Sequence, residues 1–249
     1  MWGCFHDCLY CYARKMDVRF HRETEECMLK QIFPKMPKNK LVMFPTTHDL
    51  HPKYIGRFSL TVIELINKGN RVLFTTKSSN STFRAFLDKL DSDIKDFSNT
   101  NEMLKTQVRS NLEIRITITC RDNSFIEKFE KKTGFYEERL ANLRYAYERG
   151  YKTSVSIEPL LCSKEDLDLI ILDLVDRKTD SVWIGTLSSI PEDLRVEVAP
   201  FYSKENLQKI YDEYSLKLYI HIKDTFINRL RTFYPPKNHK DILSFAGGN

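Results

Sequence analysis

The sequence predicts an α/β fold in which about six parallel strands form an incomplete barrel with helices on its outer surface. Short apolar, strand-like segments alternate with segments of helical spacing along most of the chain. Such alternation is typical of a parallel sheet covered by helices. Several of the strands also carry polar residues along one face. Both faces of a flat doubly wound sheet should be apolar, so the polar face favours a partial barrel of the triosephosphate isomerase type over that rival fold.

The predicted strands are short apolar runs that end in polar residues. They cover Lys40–Thr46, Arg71–Thr76, Leu112–Thr119, Thr153–Pro159, Ser181–Leu187 and Leu216–Ile222. In the third strand, three isoleucines alternate with Arg115, Thr117 and Thr119. Because successive side chains of a strand point to opposite faces, this alternation predicts one packed face and one wet face.

The predicted helices have apolar residues at helical spacing, and two of them are followed directly by a glycine. They cover Pro52–Lys68, Ser81–Leu90, Tyr136–Arg149, Lys164–Arg177 and Lys204–Tyr214. Gly69 and Gly150 act as stop signals for the first and third of these helices. The segment Asp91–Asn111 has the weakest pattern and is predicted to be a long helix–loop connection.

Polar residues lie at or just beyond the ends of the predicted strands. They are Thr46, Thr47, His48, Asp49, Lys77, Thr119, Glu158, Thr186 and Lys223. A single polar residue at such a place often only begins a loop. Because active sites of α/β barrels form at the carboxyl ends of the strands, the whole set predicts a functional site at that rim.

Composition excludes several classes of protein. The chain has 249 residues, of which 41% are hydrophobic and 29% charged, and its net charge is +5. No apolar run is long enough to span a bilayer and none resembles a signal peptide, so we expect a cytoplasmic protein without membrane contact. The mild basic bias permits a nucleic-acid partner without requiring one. In that compartment, the six cysteines favour metal binding or redox chemistry over disulfides.

Three of the cysteines form a compact motif. Cys4, Cys8 and Cys11 have the spacing C-x3-C-x2-C, with Tyr10 before the third cysteine. Three thiolates can hold three irons of a [4Fe–4S] cluster and leave the fourth iron open to a small molecule. The alternative is zinc, which needs a fourth ligand such as His6 or Cys27. A chance cluster of thiols is the remaining interpretation.

With these residues the sequence resembles the radical S-adenosylmethionine (SAM) superfamily, and within it the spore photoproduct lyase-like branch and related phage-type radical SAM proteins. The resemblance runs from Gly3 to about Thr186 and is patchy beyond that residue. Its matching stretches are Cys8–Tyr12, Phe44–Asp49, Thr75–Ser78, Arg115–Thr119, Phe129–Glu130, Arg139–Leu140, Gly150–Tyr151 and Ser156–Leu160.

The resemblance implies a [4Fe–4S] cluster and SAM as cofactors. The reaction it implies is reductive cleavage of SAM to a 5′-deoxyadenosyl radical that abstracts hydrogen from a substrate. It further implies a single core domain over residues 1–249, with a C-terminal helix–strand–helix in residues 191–249, and an external electron donor of flavodoxin or ferredoxin type. The substrate stays open among a nucleic-acid base, a peptide and a small metabolite.

The resemblance also assigns roles to individual residues. Thr46, Thr47 and Asp49 occupy the place of the loop that binds the methionyl amino group, without the glycines common there. Lys77 matches the lysine that meets the methionyl carboxylate. Thr117 and Thr119 match positions whose side chains face the ribose. Near the adenine, the matching positions are Tyr10, Glu158, Gly185 and Thr186. The alternatives are a solvated lysine at 77, plain strand threonines at 117 and 119, and a structural pair between Glu158 and Arg139. His6 and Asp7 are predicted to shape the loop rather than bind metal.

Two features depart from the family pattern. A first strand should precede the cysteine loop, yet only three residues precede Cys4, so we expect that strand to be missing or the recorded start to be late. Photoproduct lyases also have a cysteine near the loop that corresponds to Pro45–Thr47, where this sequence has none. That absence argues against repair of thymine dimers. Cys120 is a substitute candidate for the hydrogen donor, although such a cysteine is more often a packing residue.

A rival hypothesis of another class is a zinc-bearing nucleic-acid-binding module without catalysis. It would use basic and aromatic residues near the C-terminus, namely Lys217, Lys223, Arg229, Arg231, Lys237, Lys240, Phe226, Phe233 and Tyr234. Binding of that kind would depend strongly on salt. A solvated basic face is the simpler explanation of the same residues.

Overall fold

The computed structural model describes residues 4–11, 13, 36–98, 103–175, 179–187 and 190–233. Within these residues one sheet has six strands that lie in sequence order and pair in parallel. The strands are β1 (Leu41–Phe44), β2 (Arg71–Thr76), β3 (Leu112–Thr117), β4 (Lys152–Ile157), β5 (Ser181–Ile184) and β6 (Ile220–Ile222). In the described chain β1 and β6 do not pair with each other. The sheet is therefore open, which confirms the predicted partial barrel of six parallel strands.

Helices connect successive strands. They are α1 (Ile55–Asn67), α2 (Asn80–Ser98), α3 (Met103–Asn111), α4 (Asn123–Phe129), α5 (Tyr136–Glu148), α6 (Lys164–Val175), α7 (Arg195–Val198), α8 (Lys204–Tyr214) and α9 (Asp224–Arg231). Single 3-10 turns at Pro52–Tyr54 and Glu192–Leu194 precede α1 and α7. Gly69, just after α1, has φ +77°, and a Cβ at this position would lie 2.2 Å from Asn39 Oδ1. The positive φ and the lack of room for a Cβ therefore both require glycine at this position.

The two faces of the sheet differ as the sequence predicts. Thr76, Ile116, Val155, Val182 and Ile220 are register partners across five strands, and all five are buried. The adjacent row on the other face consists of Thr117, Ser156, Trp183 and His221. The four apolar members of the first row are buried. Thr76, at the end of that row, and Thr117, at the start of the second row, lie in the wall of a cavity.

Two sequence predictions need correction. Asp91–Asn111 is mostly helical, because α2 continues to Ser98 and α3 fills Met103–Asn111. Leu87, Leu90, Ile94, Leu104 and Val108 are buried along these helices, and the many charges between them hide this spacing in the sequence. The last strand is only Ile220–Ile222, since Leu216 and Leu218 are exposed before it. The short helices α4 and α7 were not predicted.

None of the described helices is both long and apolar enough to span a membrane.

Candidate functional site

One cavity opens at the carboxyl ends of the strands. Its volume is about 360 Å³, which lies in the usual range for small-molecule sites. Three thiols from the cysteine loop (residues 4–11) share its wall with polar residues that follow the strands. Of the predicted site residues, all line this cavity except Thr119, Cys120 and Gly185. Most of the predicted site residues therefore meet at one rim, the place where α/β barrels hold their ligands.

The cysteine loop is folded against the barrel by its own backbone. The Cys11 amide donates to the Cys8 carbonyl over 3.1 Å, and the Leu9 amide donates to the Phe129 carbonyl over 2.9 Å. Asp7 has φ +47°, a left-handed conformation that Asn and Asp tolerate best after glycine. The loop therefore turns tightly and brings Cys4, Cys8 and Cys11 to one cavity.

Cys8 is buried, whereas Cys4 and Cys11 are partly buried. Burial and, to a smaller extent, the nearby Asp49 carboxylate raise the pKa of Cys4 to about 11. Burial also raises the pKa of Cys8 well above its ordinary value. A metal is bound by thiolates, so ligation here must displace protons and bring positive charge into the cavity.

The two metal hypotheses make different demands on the thiols. In a structural zinc site four ligands converge on one ion at about 2.3 Å for each sulfur. In an iron–sulfur cluster each thiolate binds a different iron, so the thiols stand apart around a common space. Within the described ranges, no three His, Cys, Asp or Glu side chains converge closely enough to hold one ion, and Cys4, Cys8 and Cys11 line one cavity.

Asp49 is fully engaged by the protein. Its Oδ1 accepts from the Thr76 hydroxyl at 2.5 Å and from the Leu50 amide at 2.6 Å, and its Oδ2 accepts from the Lys77 amide at 2.9 Å. His6 Nδ1 lies 3.2 Å from the same Oδ2. Burial would raise the pKa of Asp49, but the His6 ring and these donors hold it well below its ordinary range. Asp49 therefore joins the β1 and β2 ends to His6 of the cysteine loop. That His6 shapes this loop rather than binding metal stays a prediction.

Thr46, Thr47 and His48 complete the wall after β1. Both threonines are exposed at the cavity, while His48 is half-buried. Burial lowers the pKa of His48 to about 4. At neutral pH the His48 ring is therefore neutral and adds no charge to the cavity.

Lys77 extends into the cavity wall from the end of β2. Its Nζ lies 2.8 Å from the Tyr10 hydroxyl and 3.4 Å from Glu130 Oε1. The ammonium also lies 5.0 Å from the centre of the Tyr10 ring, within the range of a cation–π contact. With 17% of its side chain exposed, Lys77 is held by the protein and is not a solvated surface lysine.

Glu130 and Arg139 form a buried ion pair behind Lys77, which the sequence did not predict as part of the site. Their side chains are 1% and 0% exposed. Glu130 Oε1 accepts from the Tyr10 hydroxyl, and Oε2 accepts from Arg139 and from the Thr119 hydroxyl. Glu130 and Arg139 both lie in stretches that resemble the family, and this resemblance is the sequence signal that could have identified them. No spacing rule, however, links Tyr10 to a residue 120 positions away.

The residues that follow β3 divide between the cavity and the packing behind it. Thr117 lines the cavity, whereas Thr119 is buried against Glu130. Cys120 is 3% exposed, and burial raises its pKa to about 11. Its sulfur lies 3.7 Å from the Asp122 carbonyl oxygen. Cys162 is buried as well, and Cys27 lies outside the described residues.

A second ion pair lies in the wall formed by β4, β5 and β6. Glu158 pairs with Lys223 and accepts from the Thr225 hydroxyl at 3.3 Å. Arg139 pairs with Glu130 instead, so the proposed structural pair between Glu158 and Arg139 is wrong. Gly185 allows this arrangement, because a Cβ there would lie 2.8 Å from Glu158 Oε1 and 2.9 Å from Thr225 Oγ1. Thr186 lines the cavity and donates to the Thr225 carbonyl at 2.8 Å.

The C-terminal basic residues within the described chain are mostly engaged in internal contacts. Lys223 pairs with Glu158, Lys217 with Glu213, and Arg229 donates to the Leu187 carbonyl at 2.5 Å. Phe226 is fully buried in the core. Tyr234, Lys237 and Lys240 lie outside the described residues. These contacts do not support the basic nucleic-acid-binding face of the rival hypothesis.

Comparisons with known proteins give distant similarities. No protein-family model matches the chain. An uncharacterized protein, ORF301 of Acidianus two-tailed virus, is 23% identical over 259 residues, which cover 93% of this chain and 80% of the viral protein.

Two groups of solved structures are similar in fold. Spore photoproduct lyase with dinucleoside spore photoproduct has a TM-score of 0.49 at 16% identity, over 94% of this chain and 72% of the lyase. Streptococcus suis SuiB bound to S-adenosylmethionine has a TM-score of 0.43 at 10% identity, over 88% of this chain and 62% of SuiB. The chain thus spans less than two thirds of the length of SuiB. In its C-x3-C-x2-C motif and its open sheet of six parallel strands, the chain resembles the radical SAM superfamily and its spore photoproduct lyase-like branch.

Proposed function

We propose that this chain is a radical SAM enzyme that holds a [4Fe–4S] cluster with Cys4, Cys8 and Cys11. The observation that carries the proposal is the meeting of these three thiols with Lys77 in one cavity at the carboxyl ends of six parallel strands. When bound, the reduced cluster would supply the electron that cleaves SAM to methionine and a 5′-deoxyadenosyl radical, which abstracts hydrogen from the substrate.

The residues of the cavity suit the charged groups of SAM. Lys77 provides an ammonium for the methionyl carboxylate, as a charge-assisted hydrogen bond. Both carboxylate oxygens of Asp49 already accept from Thr76, Leu50 and Lys77. The methionyl amino group is therefore assigned to the exposed rim at Thr46 and Thr47 rather than to Asp49.

The rest of the wall suits the nucleoside part of SAM. Thr117 and Thr186 offer hydroxyl groups, and Glu158 offers a carboxylate that is only partly enclosed. Thr119 and Gly185 lie behind this wall. Thr119 donates a hydrogen bond to Glu130, and Gly185 leaves room for the Glu158 carboxylate. An external one-electron donor of flavodoxin or ferredoxin type remains the proposed partner.

Cleavage of SAM tests the proposal directly. The protein, reconstituted with iron and sulfide without oxygen, is reduced with dithionite and incubated with SAM. We expect 5′-deoxyadenosine and methionine in equal amounts, formed slowly without substrate. A protein with a full cluster that forms no 5′-deoxyadenosine would contradict the proposed reaction.

A further inference from the structure

Glu130 is a buried carboxylate with two differently used oxygens. Its Oε2 is held from behind by Arg139 and by the Thr119 hydroxyl at 3.2 Å. Its Oε1 faces the cavity wall, where it accepts from the Tyr10 hydroxyl and lies 3.4 Å from Lys77 Nζ. The carboxylate therefore bridges the packed interior and two groups of the proposed cofactor site.

Arg139 gives this carboxylate a fixed position. The guanidinium donates to the Gly134 carbonyl at 2.7 Å, to the Thr117 carbonyl at 3.1 Å and to the Thr133 hydroxyl at 2.7 Å. A guanidinium with several bonds in a rigid fork loses little freedom for each further bond that it makes. Glu130 is thus anchored by α5 and by the end of β3.

The two groups held by Oε1 belong to different parts of the chain. Tyr10 lies in the cysteine loop between Cys8 and Cys11, whereas Lys77 follows β2. The Lys77 ammonium also donates to the Tyr10 hydroxyl at 2.8 Å. The metal-binding loop and the carboxylate-binding lysine are therefore joined at a single buried oxygen.

The charges of this group do not cancel. Lys77 and Arg139 carry two positive charges, and Glu130 carries one negative charge. One positive charge therefore remains for an anionic ligand at the cavity wall. If Glu130 acted only to neutralise Lys77, its removal would strengthen the binding of such a ligand. If it fixes the position of Lys77, its removal would weaken that binding.

We propose that Glu130 is a positioning residue that holds the Lys77 ammonium and the Tyr10 hydroxyl in one arrangement, so that the cysteine loop and the carboxylate site are coupled. This inference rests on the proposed function. Coupling of this kind is reciprocal: docking of the loop favours the bound position of Lys77, and binding of a carboxylate favours the docked loop.

Affinity for SAM in two variants tests this inference. SAM is titrated into reconstituted protein and followed by the change in the EPR signal of the reduced cluster, at equal iron content. We expect Glu130→Gln to weaken binding about tenfold or more, since a hydrogen bond to a charged group is lost. Tighter or unchanged binding in this variant would overturn the positioning role.

Tyr10→Phe keeps the test decisive if Glu130→Gln does not fold, because it removes one hydroxyl and leaves the Glu130–Arg139 pair intact. We expect about a tenfold loss of affinity in the wild-type background, but less than about a twofold loss when Lys77 is already replaced by methionine. Equal losses in both backgrounds would show independent sites and overturn the inference. Tyr151→Phe is the matched control, since it removes another hydrogen bond from a buried tyrosine to a carboxylate, that of Asp91 at 2.6 Å, away from the cavity lining.

The outcomes also separate this inference from the proposed function. A wild-type protein that binds SAM while its variants bind it equally well refutes only the role of Glu130. A wild-type protein that forms no cluster and binds no SAM refutes the proposed function, and the positioning role is refuted with it.

Discussion

The two walls of the cavity differ in how firmly their polar groups are held. On the side of the cysteine loop, Asp49 is 8% exposed and the Glu130 side chain 1%, and each oxygen of these carboxylates has at least one partner. On the side of β4 to β6, the Glu158 and Lys223 side chains are 25% and 33% exposed. The first wall is pre-organised, while the second keeps polar groups within reach of solvent.

Under the proposed function, this difference fits the two parts of SAM. The methionyl part is charged, and groups that are fixed in advance bind such charges at the lowest entropic cost. The nucleoside part carries fewer charges, and the partly solvated wall offers it polar groups that can still rearrange. The comparison predicts that changes in the first wall affect cofactor binding and stability strongly, whereas changes in the second wall have smaller effects on both.

Replacement of Asp49 should have the largest effect on stability. Asp49→Asn places an amide group among donors from Thr76, Leu50 and Lys77. We expect a loss of about 3–5 kcal/mol in the free energy of unfolding, the range for removing one partner of a buried charged group. Denaturant unfolding of the metal-free protein measures it.

Asp88→Asn is the matched control on the outer surface. Asp88 bonds the Tyr145 hydroxyl at 2.6 Å and Arg149 at 2.5 Å, but its side chain is 55% exposed. Exposed pairs contribute only about 0–1 kcal/mol. If Asp49→Asn and Asp88→Asn lower the free energy of unfolding equally, the wall on the side of the cysteine loop is not pre-organised.

Replacement of Lys77 should affect the cofactor more than the fold. We expect Lys77→Ala to weaken SAM binding about tenfold to a hundredfold, because a charge-assisted hydrogen bond is lost. Lys77→Arg should restore only part of the affinity, since its guanidinium is larger and planar. Iron content should not change, because Lys77 is no ligand.

Titration of SAM against the EPR signal of the cluster measures these affinities. Lys128→Ala is the control: it removes a lysine whose side chain is 57% exposed and paired with Glu197 on the surface. Equal affinity for SAM in Lys77→Ala and Lys128→Ala would show that Lys77 contributes no more to SAM binding than a surface lysine does.

Substitutions in the wall of β4 to β6 should have the smallest effect on cofactor binding. In Gly185→Ala the added Cβ would lie within 3 Å of both Glu158 and Thr225, so the Glu158 carboxylate must shift. We expect a loss of about 1–3 kcal/mol in stability, as for other overpacked sites, with the cluster retained. Gly56→Ala is the control, since its Cβ would meet only the Lys89 side chain at 3.7 Å. A loss of cluster in Gly185→Ala would remove the distinction between the walls.

The sequence predicted the parts of the site that depend on local pattern. Strand alternation gave the six strands and their polar face, and the spacing of Cys4, Cys8 and Cys11 gave the loop. Residues directly after strands, such as Lys77 and Glu158, lie at the same rim because parallel strands all end there.

What the sequence could not give are the partners across the chain. Glu130 ends a short helix that has no distinctive pattern, and it meets Tyr10 only because the cysteine loop folds back onto the Phe129 carbonyl. The choice of Glu130 over Glu158 as the partner of Arg139 likewise depends on how α5 packs against the sheet. Such contacts are set by tertiary geometry, on which spacing along the chain carries no information.

The central claim is that the cysteine loop, and no other thiol of the described chain, holds the cluster. Iron and sulfide content after anaerobic reconstitution tests it in wild type, Cys8→Ala and Cys162→Ala, two variants that each lose a buried cysteine. The account predicts about four irons per chain in wild type and Cys162→Ala and almost none in Cys8→Ala. Retention of the cluster in Cys8→Ala, or its loss in Cys162→Ala alone, would contradict the account.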